Sequence, residues 1–568
     1  MGSQIETGNP GKKALWQGAA VLGGAALLSK LIGTLQKIPL QNIAGDEAFG
    51  LYSAVYALAA MWMTLASAGI PVAVSALVAE RTARGDEQGA GKALRWALGL
   101  MVASGAAMFV LLWLFADTFA GWMGHESAAP AIRMSSLALL FAPATAALRG
   151  ESQGRMRMLR PAVSQLVEQV ARVAFMLAAL GLATSAAWSP SATAAAVHGG
   201  LAAGAAAGLA AMLWMARRSK PIVIRTVGAR RSFGREREAP SPVRSVRLPE
   251  TRTALLKKIA RVAVPVAIAS LVAPLIALID AFSVPGLLRQ EGAAADWAMA
   301  RFGVYNRGIA LLQLVIMGAS GAAAALVPAF TAARAGGDEA RLAARATFSL
   351  RLAWWLGCAA ALGLAVLAGP VNVALFGDDS GTLAMRLVAL GAAGGTLQAV
   401  SAALLQGMGE LRAPAVNLAA AALLKLSLNA ALVPAYGIEG AAAAIAIAYA
   451  MAALLNALSL RARVRLPAPR AGLAWRSCAA LAAMAAAAAL LALGLGGLPA
   501  AALPARAAAL LVALPGVAAG AAVFAAALVA FGAVHPREWR ELPGLSGTRI
   551  DAWLLRIRSL ARRDNQEG

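Results

Sequence analysis

Charge is scarce in this chain: 14% of its 568 residues are Asp, Glu, Lys or Arg, against about 25% in an ordinary soluble protein. Hydrophobic residues make up 60%, and the mean hydropathy is +0.68. A soluble globular domain is excluded, and the chain reads as a polytopic membrane protein. Cysteine is nearly absent. Cys358 and Cys478 both fall inside apolar stretches, which excludes a disulfide framework. The three histidines, His125, His198 and His535, are scattered and lack metal-ligand spacing. There is no Gly-rich loop followed by Lys-Ser/Thr, so ATP hydrolysis by a phosphate-binding loop is excluded. Acidic residues are also few, 27 against 51 basic ones, for a net charge of +24. The basic residues stand in alternate loops between apolar stretches, as the positive-inside rule requires, so nucleic acid is not an expected partner. A cleavable signal peptide is not expected, because the first apolar run leads into further membrane segments.

A spanning helix needs about 20 apolar residues. By that measure the chain is all-α with 14 spans: 14–36, 50–78, 93–116, 131–150, 162–183, 193–215, 259–284, 304–332, 347–368, 383–405, 414–434, 438–458, 473–495 and 505–533. Arg81, Arg84 and Lys92 follow span 2, Arg155, Arg157 and Arg160 follow span 4, and Arg461, Arg463, Arg465 and Arg470 follow span 12. The opposite loops, such as 117–130 and 369–382, hold Asp117, Glu126, Asp378 and Asp379 but no Lys or Arg. Both termini are therefore expected on the cytoplasmic side of a bacterial plasma membrane. The domains follow as an N-lobe (1–215), a basic cytoplasmic linker (216–258), a C-lobe (259–458), two further spans (473–533) and a basic tail (534–568). The linker either binds anionic lipid headgroups or only sets topology. In the tail, 549–563 reads as a basic amphipathic helix on the inner leaflet.

The chain repeats itself. Phe49-Gly50-Leu51-Tyr52 and Phe302-Gly303-Val304-Tyr305 open spans 2 and 8, and Gln153-Gly154 with Pro161-Ala162-Val163 returns as Gln406-Gly407 with Pro414-Ala415-Val416. All keep an offset of 253, at which Arg172 lands on Lys425. Spans 1–6 and 7–12 are thus a duplicated six-helix unit. Six is even, so the repeats are parallel, with a cavity between two lobes that rock to give alternating access.

Charges inside such spans cost roughly 2.5–3.5 kcal/mol each on insertion scales, so they face a bundle interior or a watery cavity. Lys30, Gly33, Thr34 and Lys37 fall on one helical face at i, i+3, i+4 and i+7. A lysine stripe there asks for an anion. Ser164, Glu168 and Arg172 share a face of span 5, and the Glu-before-Arg order favours an ion pair between Glu168 and Arg172. Arg307 either snorkels to the interface or points into the cavity. Asp280 is the main unpaired carboxylate of the second lobe, a candidate for proton or cation coupling or for neutralising Arg307. No cofactor is expected beyond a possible coupling cation.

Ser29-Lys30-x-x-Gly33 continuing to Lys37-Ile38-Pro39-Leu40, then Gly50-Leu51-Tyr52, Ala68-Gly69-Ile70-Pro71 and Ser164-Gln165-x-x-Glu168-Gln169-x-x-Arg172, resemble the stage V sporulation protein B and polysaccharide-biosynthesis membrane proteins. These belong to the multidrug/oligosaccharidyl-lipid/polysaccharide exporter superfamily. The resemblance implies flipping of undecaprenyl-pyrophosphate-linked glycans, lipid II among them, from the inner to the outer leaflet, with Lys30, Lys37 and Arg307 as cavity cations that bind the substrate. Related flippases carry Arg where Lys30 stands and a second Arg near Gln36; here Lys37 supplies that charge one position later. The alternative is a multidrug or cation antiporter of the same superfamily, which needs intramembrane carboxylates. A third class, a membrane glycosyltransferase, would use Asp46-Glu47 or Asp378-Asp379 as acids.

Overall fold

The computed structural model describes residues 10–67, 69–218, 252–289, 292–335, 338–467, 472–496, 503–534 and 556. Most of the expected basic linker, nearly all of the tail and His535 lie outside the described residues. Every regular element among the described residues is helical. The first half holds α1 (Pro10–Leu35), α2 (Lys37–Ser67), α3 (Ile70–Ala83), α4 (Glu87–Leu114), α5 (Ala116–Trp122), α6 (Ala129–Ser136), α7 (Ala142–Gly154), α8 (Leu159–Ser185) and α9 (Pro190–Arg217). The second half holds α10 (Arg252–Leu288), α11 (Ala295–Ala335), α12 (Glu339–Val366), α13 (Ala368–Phe376), α14 (Thr382–Gly407) and α15 (Arg412–Arg461). Two more follow, α16 (Leu473–Gly496) and α17 (Ala505–Ala530).

Among the described residues twelve stretches are long and apolar enough to cross a membrane, against the 14 spans expected. The difference of two lies in Val21–Ala83 and Arg412–Arg461, which each hold two expected spans and fold back on themselves. Gly45 (φ 80°) breaks the first and Gly437 (φ 60°), just after Pro434, breaks the second; both backbones favour glycine. Past Gly45 the chain returns, so that Gln36 donates to the Tyr52 hydroxyl at 3.2 Å. A straight helix would separate them by about 24 Å. Past Gly437, a Cβ on Gly440 would sit 2.3 Å from the Leu432 carbonyl oxygen.

The duplication is visible in the packing. Asp86 caps α4 by accepting from Gly89 N, and Asp338 caps α12 by accepting from Arg341 N, each at 2.9 Å. Gly50 and Gly303, equivalent in the repeat, face each other where α2 crosses α11. A Cβ on Gly50 would lie 2.1 Å from the Met299 carbonyl oxygen, and one on Gly303 2.0 Å from that of Asp46. Only glycine permits this approach, the small-residue packing expected between helices in lipid. The seam between the halves is thus built from α2 against α10 and α11, α3 against α10, and α1 against α11. Helices α16 and α17 pack on α12 and α13. From the first turn of α17, Arg506 donates to Asn42 Oδ1 of α2 at 2.7 Å, and its guanidinium lies against Gly377.

Candidate anion site in the cavity between the halves

A cavity of about 220 Å³ lies on the seam, walled by Lys37, Ser53 and Tyr56 of α2, Asp280 of α10, Asn306 and Gln313 of α11, and Tyr449 of α15. Its polar groups come from both halves. Lys37 opens α2 just before the Gly45 break and is 7% exposed. Its ammonium donates to Gln313 Oε1 at 3.0 Å and lies 6.0 Å from the Tyr56 ring. The Arg172 guanidinium, from α8, lies 4.9 Å from that same ring and donates to the Tyr52 hydroxyl at 3.1 Å. Tyr52 stacks on Tyr56 at 5.8 Å and meets the buried His198 ring, tilted by 40°, at 4.8 Å, which fixes the aromatic wall. Two cations therefore share one ring, and among the described residues no carboxylate pairs with either. The Ser53 hydroxyl, also on the wall, has no hydrogen-bond partner.

The second half neutralises itself. Asp280 Oδ1 accepts from the Lys425 ammonium and from Asn429 Nδ2 (3.0 Å), while Oδ2 accepts from the Tyr305 hydroxyl at 2.9 Å. Lys425 is fully buried. Asp280 was expected unpaired or beside Arg307; its partner is Lys425, the repeat counterpart of Arg172. The uncompensated positive charge at the cavity thus belongs to the first half.

Arg307 departs from the expected cavity position. It is fully buried and bound on both sides by acids. Its Nε donates to Asp46 Oδ1 at 2.9 Å, with a second, short contact to Asp46 Oδ2. Its two terminal nitrogens donate to Asp378 at 2.8 and 3.1 Å. The Asp378 carboxyl, in the loop after α13, is held down to about 2 mainly by this hydrogen bonding to Arg307. Such a bidentate arrangement ties α2 of the first half to α11 and the α13–α14 loop of the second. Asn306, one residue earlier, lines the cavity while Arg307 forms this latch beyond it.

Two other expectations change. Glu168 pairs with Arg149 of α7 at 2.7 Å, and not with Arg172 on its own helix. Arg149 also donates to Ser164 Oγ at 2.8 Å, so a charge from a neighbouring helix takes the place that i, i+4 spacing assigned to Arg172. Lys30 is exposed on α1 and does not line the cavity. Helix α1 ends at Leu35 and α2 begins at Lys37, so Lys30 and Lys37 stand on successive helices, one exposed and the other buried. Instead Ser29 and Gly33 face Gln165 and Gln169 of α8. Leu27, three residues before Lys30, meets Gly321 of α11, placing Lys30 beside the α1–α11 seam.

Tyr56, Ser53, Gln313 and Tyr449 had not been singled out. A signal existed in scarcity: the chain has 5 tyrosines, and Tyr52, Tyr56, Tyr305 and Tyr449 all stand on or directly behind the cavity wall.

The pattern of the family described as polysaccharide biosynthesis protein matches residues 15–334. The uncharacterized membrane protein YabM of Bacillus subtilis (strain 168) is 32% identical over 449 residues, covering 79% of this chain and 80% of that protein. The lipid II flippase MurJ of the same organism is 24% identical over 472 residues, covering 79% and 82%. A solved structure of lipid II flippase MurJ in an inward closed conformation superposes with a TM-score of 0.62 at 11% identity, over 89% of this chain and 99% of that one, a likeness of fold. With a family match across more than half its length and a relative sharing about a third of its residues over most of both chains, this multi-pass membrane protein belongs to the polysaccharide biosynthesis protein family.

Proposed function

We propose that this protein is a flippase that carries a polyprenyl-pyrophosphate-linked glycan, such as a lipid II-like precursor, from the inner to the outer leaflet of a bacterial plasma membrane. The observation that carries the reading is the Lys37–Tyr56–Arg172 group. A buried cation lacking a counterion costs several kcal/mol, and an anionic ligand arriving between Lys37 and Arg172 supplies that counterion. Lys37 offers up to three donors and Arg172 a planar fork suited to phosphate oxygens. The unpartnered Ser53 hydroxyl adds a donor for phosphate or sugar. The α1–α11 seam, with Lys30 beside it, serves as the lateral opening through which the polyprenyl tail stays in lipid. On this reading the termini lie inside, as the positive-inside rule favours, the Asp46–Arg307–Asp378 latch closes the outer mouth, and alternating access proceeds by breaking it. The antiporter reading needs a free carboxylate on the wall, and Asp280 is already neutralised by Lys425.

The test is leaflet-resolved labelling of lipid II in proteoliposomes with wild type, Lys37→Gln and Arg172→Gln. Losing one charge-assisted contact removes about 1.5–3 kcal/mol, so each variant is expected to flip roughly ten- to hundredfold more slowly. Unchanged flipping in both variants, or efflux of a cationic dye without lipid movement, would refute the proposal.

A further inference from the structure

We infer that the outer mouth carries a divalent-metal site formed by Glu47, His125 and Asp296, chemically suited to Zn²⁺. The three residues are far apart in sequence, yet one ligand atom from each falls within 4.8 Å of the others. Glu47 follows the Gly45 break in α2, His125 stands in the turn after α5, and Asp296 lies in the first turn of α11. His125 is the fixed member. Its backbone N–H donates to the Ala120 carbonyl at 3.1 Å, its own carbonyl accepts from Ala128 N at 3.0 Å, and it is 3% exposed. Its Nε2 points at Asp296 Oδ1 from 3.0 Å, and its Nδ1 has no hydrogen-bond partner. Nε2 donates to that carboxylate here; a metal taking the place of this proton would be bound through the Nε2 lone pair, with the ring proton on Nδ1.

The geometry and charge both fit. Zinc bonds to imidazole nitrogen and carboxylate oxygen are about 2.0–2.2 Å, which sets tetrahedral ligand atoms about 3.3 Å apart. His125 Nε2 and Asp296 Oδ1 already stand near that spacing at 3.0 Å, and no two of the three ligand atoms are more than 4.8 Å apart. Two carboxylates and a neutral imidazole balance a divalent ion, and a water fills the fourth position. Asp296 is 72% exposed, so the ion enters from the outer solution. Arg289, the neighbouring cation, is engaged with the Gly124 carbonyl at 2.7 Å and does not occupy the site.

The site consists of two ligands from the first half and one from the second. Glu47 is adjacent to Asp46 of the latch, and Asp296 is on the same helix as Arg307. A bound ion therefore holds together the helix pair that must separate for the mouth to open, and the metal acts as an inhibitory clamp. This stands apart from the choice of cargo.

The test is calorimetric titration of Zn²⁺ into the full chain in lipid nanodiscs, with melting curves read in parallel. Wild type is expected to bind one Zn²⁺ per chain and to melt higher with it. Asp296→Asn, at an exposed position, and His125→Ala should each bind at least about tenfold more weakly, and Asp296→Asn should melt as wild type does without metal and lose the Zn²⁺ shift. No saturable binding below about 1 mM, or wild-type affinity in both variants, would overturn the inference.

Discussion

Replacing Asp46 by Asn removes the charge that ties Arg307 to the first half while keeping one side-chain oxygen for a hydrogen bond. A hydrogen bond to a charged group contributes about 1.5–3 kcal/mol. Asp46 is 22% exposed, so water weakens the contact and the low end applies, about 1.5 kcal/mol. At 1.4 kcal/mol per factor of ten, the open-mouth population rises roughly tenfold. A cysteine at position 53 reads this directly, because Ser53 lines the cavity. With Cys358 and Cys478 changed to Ala, a Ser53→Cys chain is treated with an impermeant maleimide from outside, and labelling rates are compared with and without Asp46→Asn. Asp378→Asn is the control. Asp378 and Arg307 belong to the same half, and Asp378 is 48% exposed, so its loss should change labelling by about twofold at most. Equal rates in Asp46→Asn and its parent, or a larger effect from Asp378→Asn, would refute the latch.

Two further outcomes are expected. Asp378 is held near 2 when folded, below the roughly 3.9 of an unfolded aspartate. Its contact with Arg307 therefore contributes fully above about pH 4 and is lost as pH falls through about 2. The melting-temperature difference between wild type and Asp378→Asn should be flat from about pH 8 to 5, and a titration within that range would contradict the pairing. In the second half, Lys425→Ala strands Asp280 in the core and should cost about 3–5 kcal/mol. The double variant Lys425→Met/Asp280→Asn should recover most of it, read as the yield of folded protein in detergent.

Much of the fold follows from local pattern. Hydropathy marks the helices, and the Phe-Gly-x-Tyr echo already points at Gly50 and Gly303, whose contact depends on both copies lacking a Cβ. The cavity charges were less accessible, because their partners are remote in sequence. Arg307 meets Asp46 261 residues earlier, and no periodicity within span 8 encodes that. Glu168 and Arg172 satisfied the i, i+4 rule, but Arg149 arrives from another helix with a contact that the rule does not see. Lys30 and Lys37 would share a face on one continuous helix, whereas the chain divides them between α1 and α2. His125 lacked metal spacing along the chain, and its neighbours Glu47 and Asp296 are brought to it by the seam.

The two terminal helices gain a role from one side chain. Helix α17 packs on α13 of the second half, yet Arg506 donates to Asn42 of the first half and lies against Gly377, next to Asp378. The pair thus bridges the two halves beside the Asp46–Arg307–Asp378 contacts. Substitutions there, remote from the cavity, are expected to alter turnover, so relatives with identical cavities but different terminal helices should turn over at different speeds.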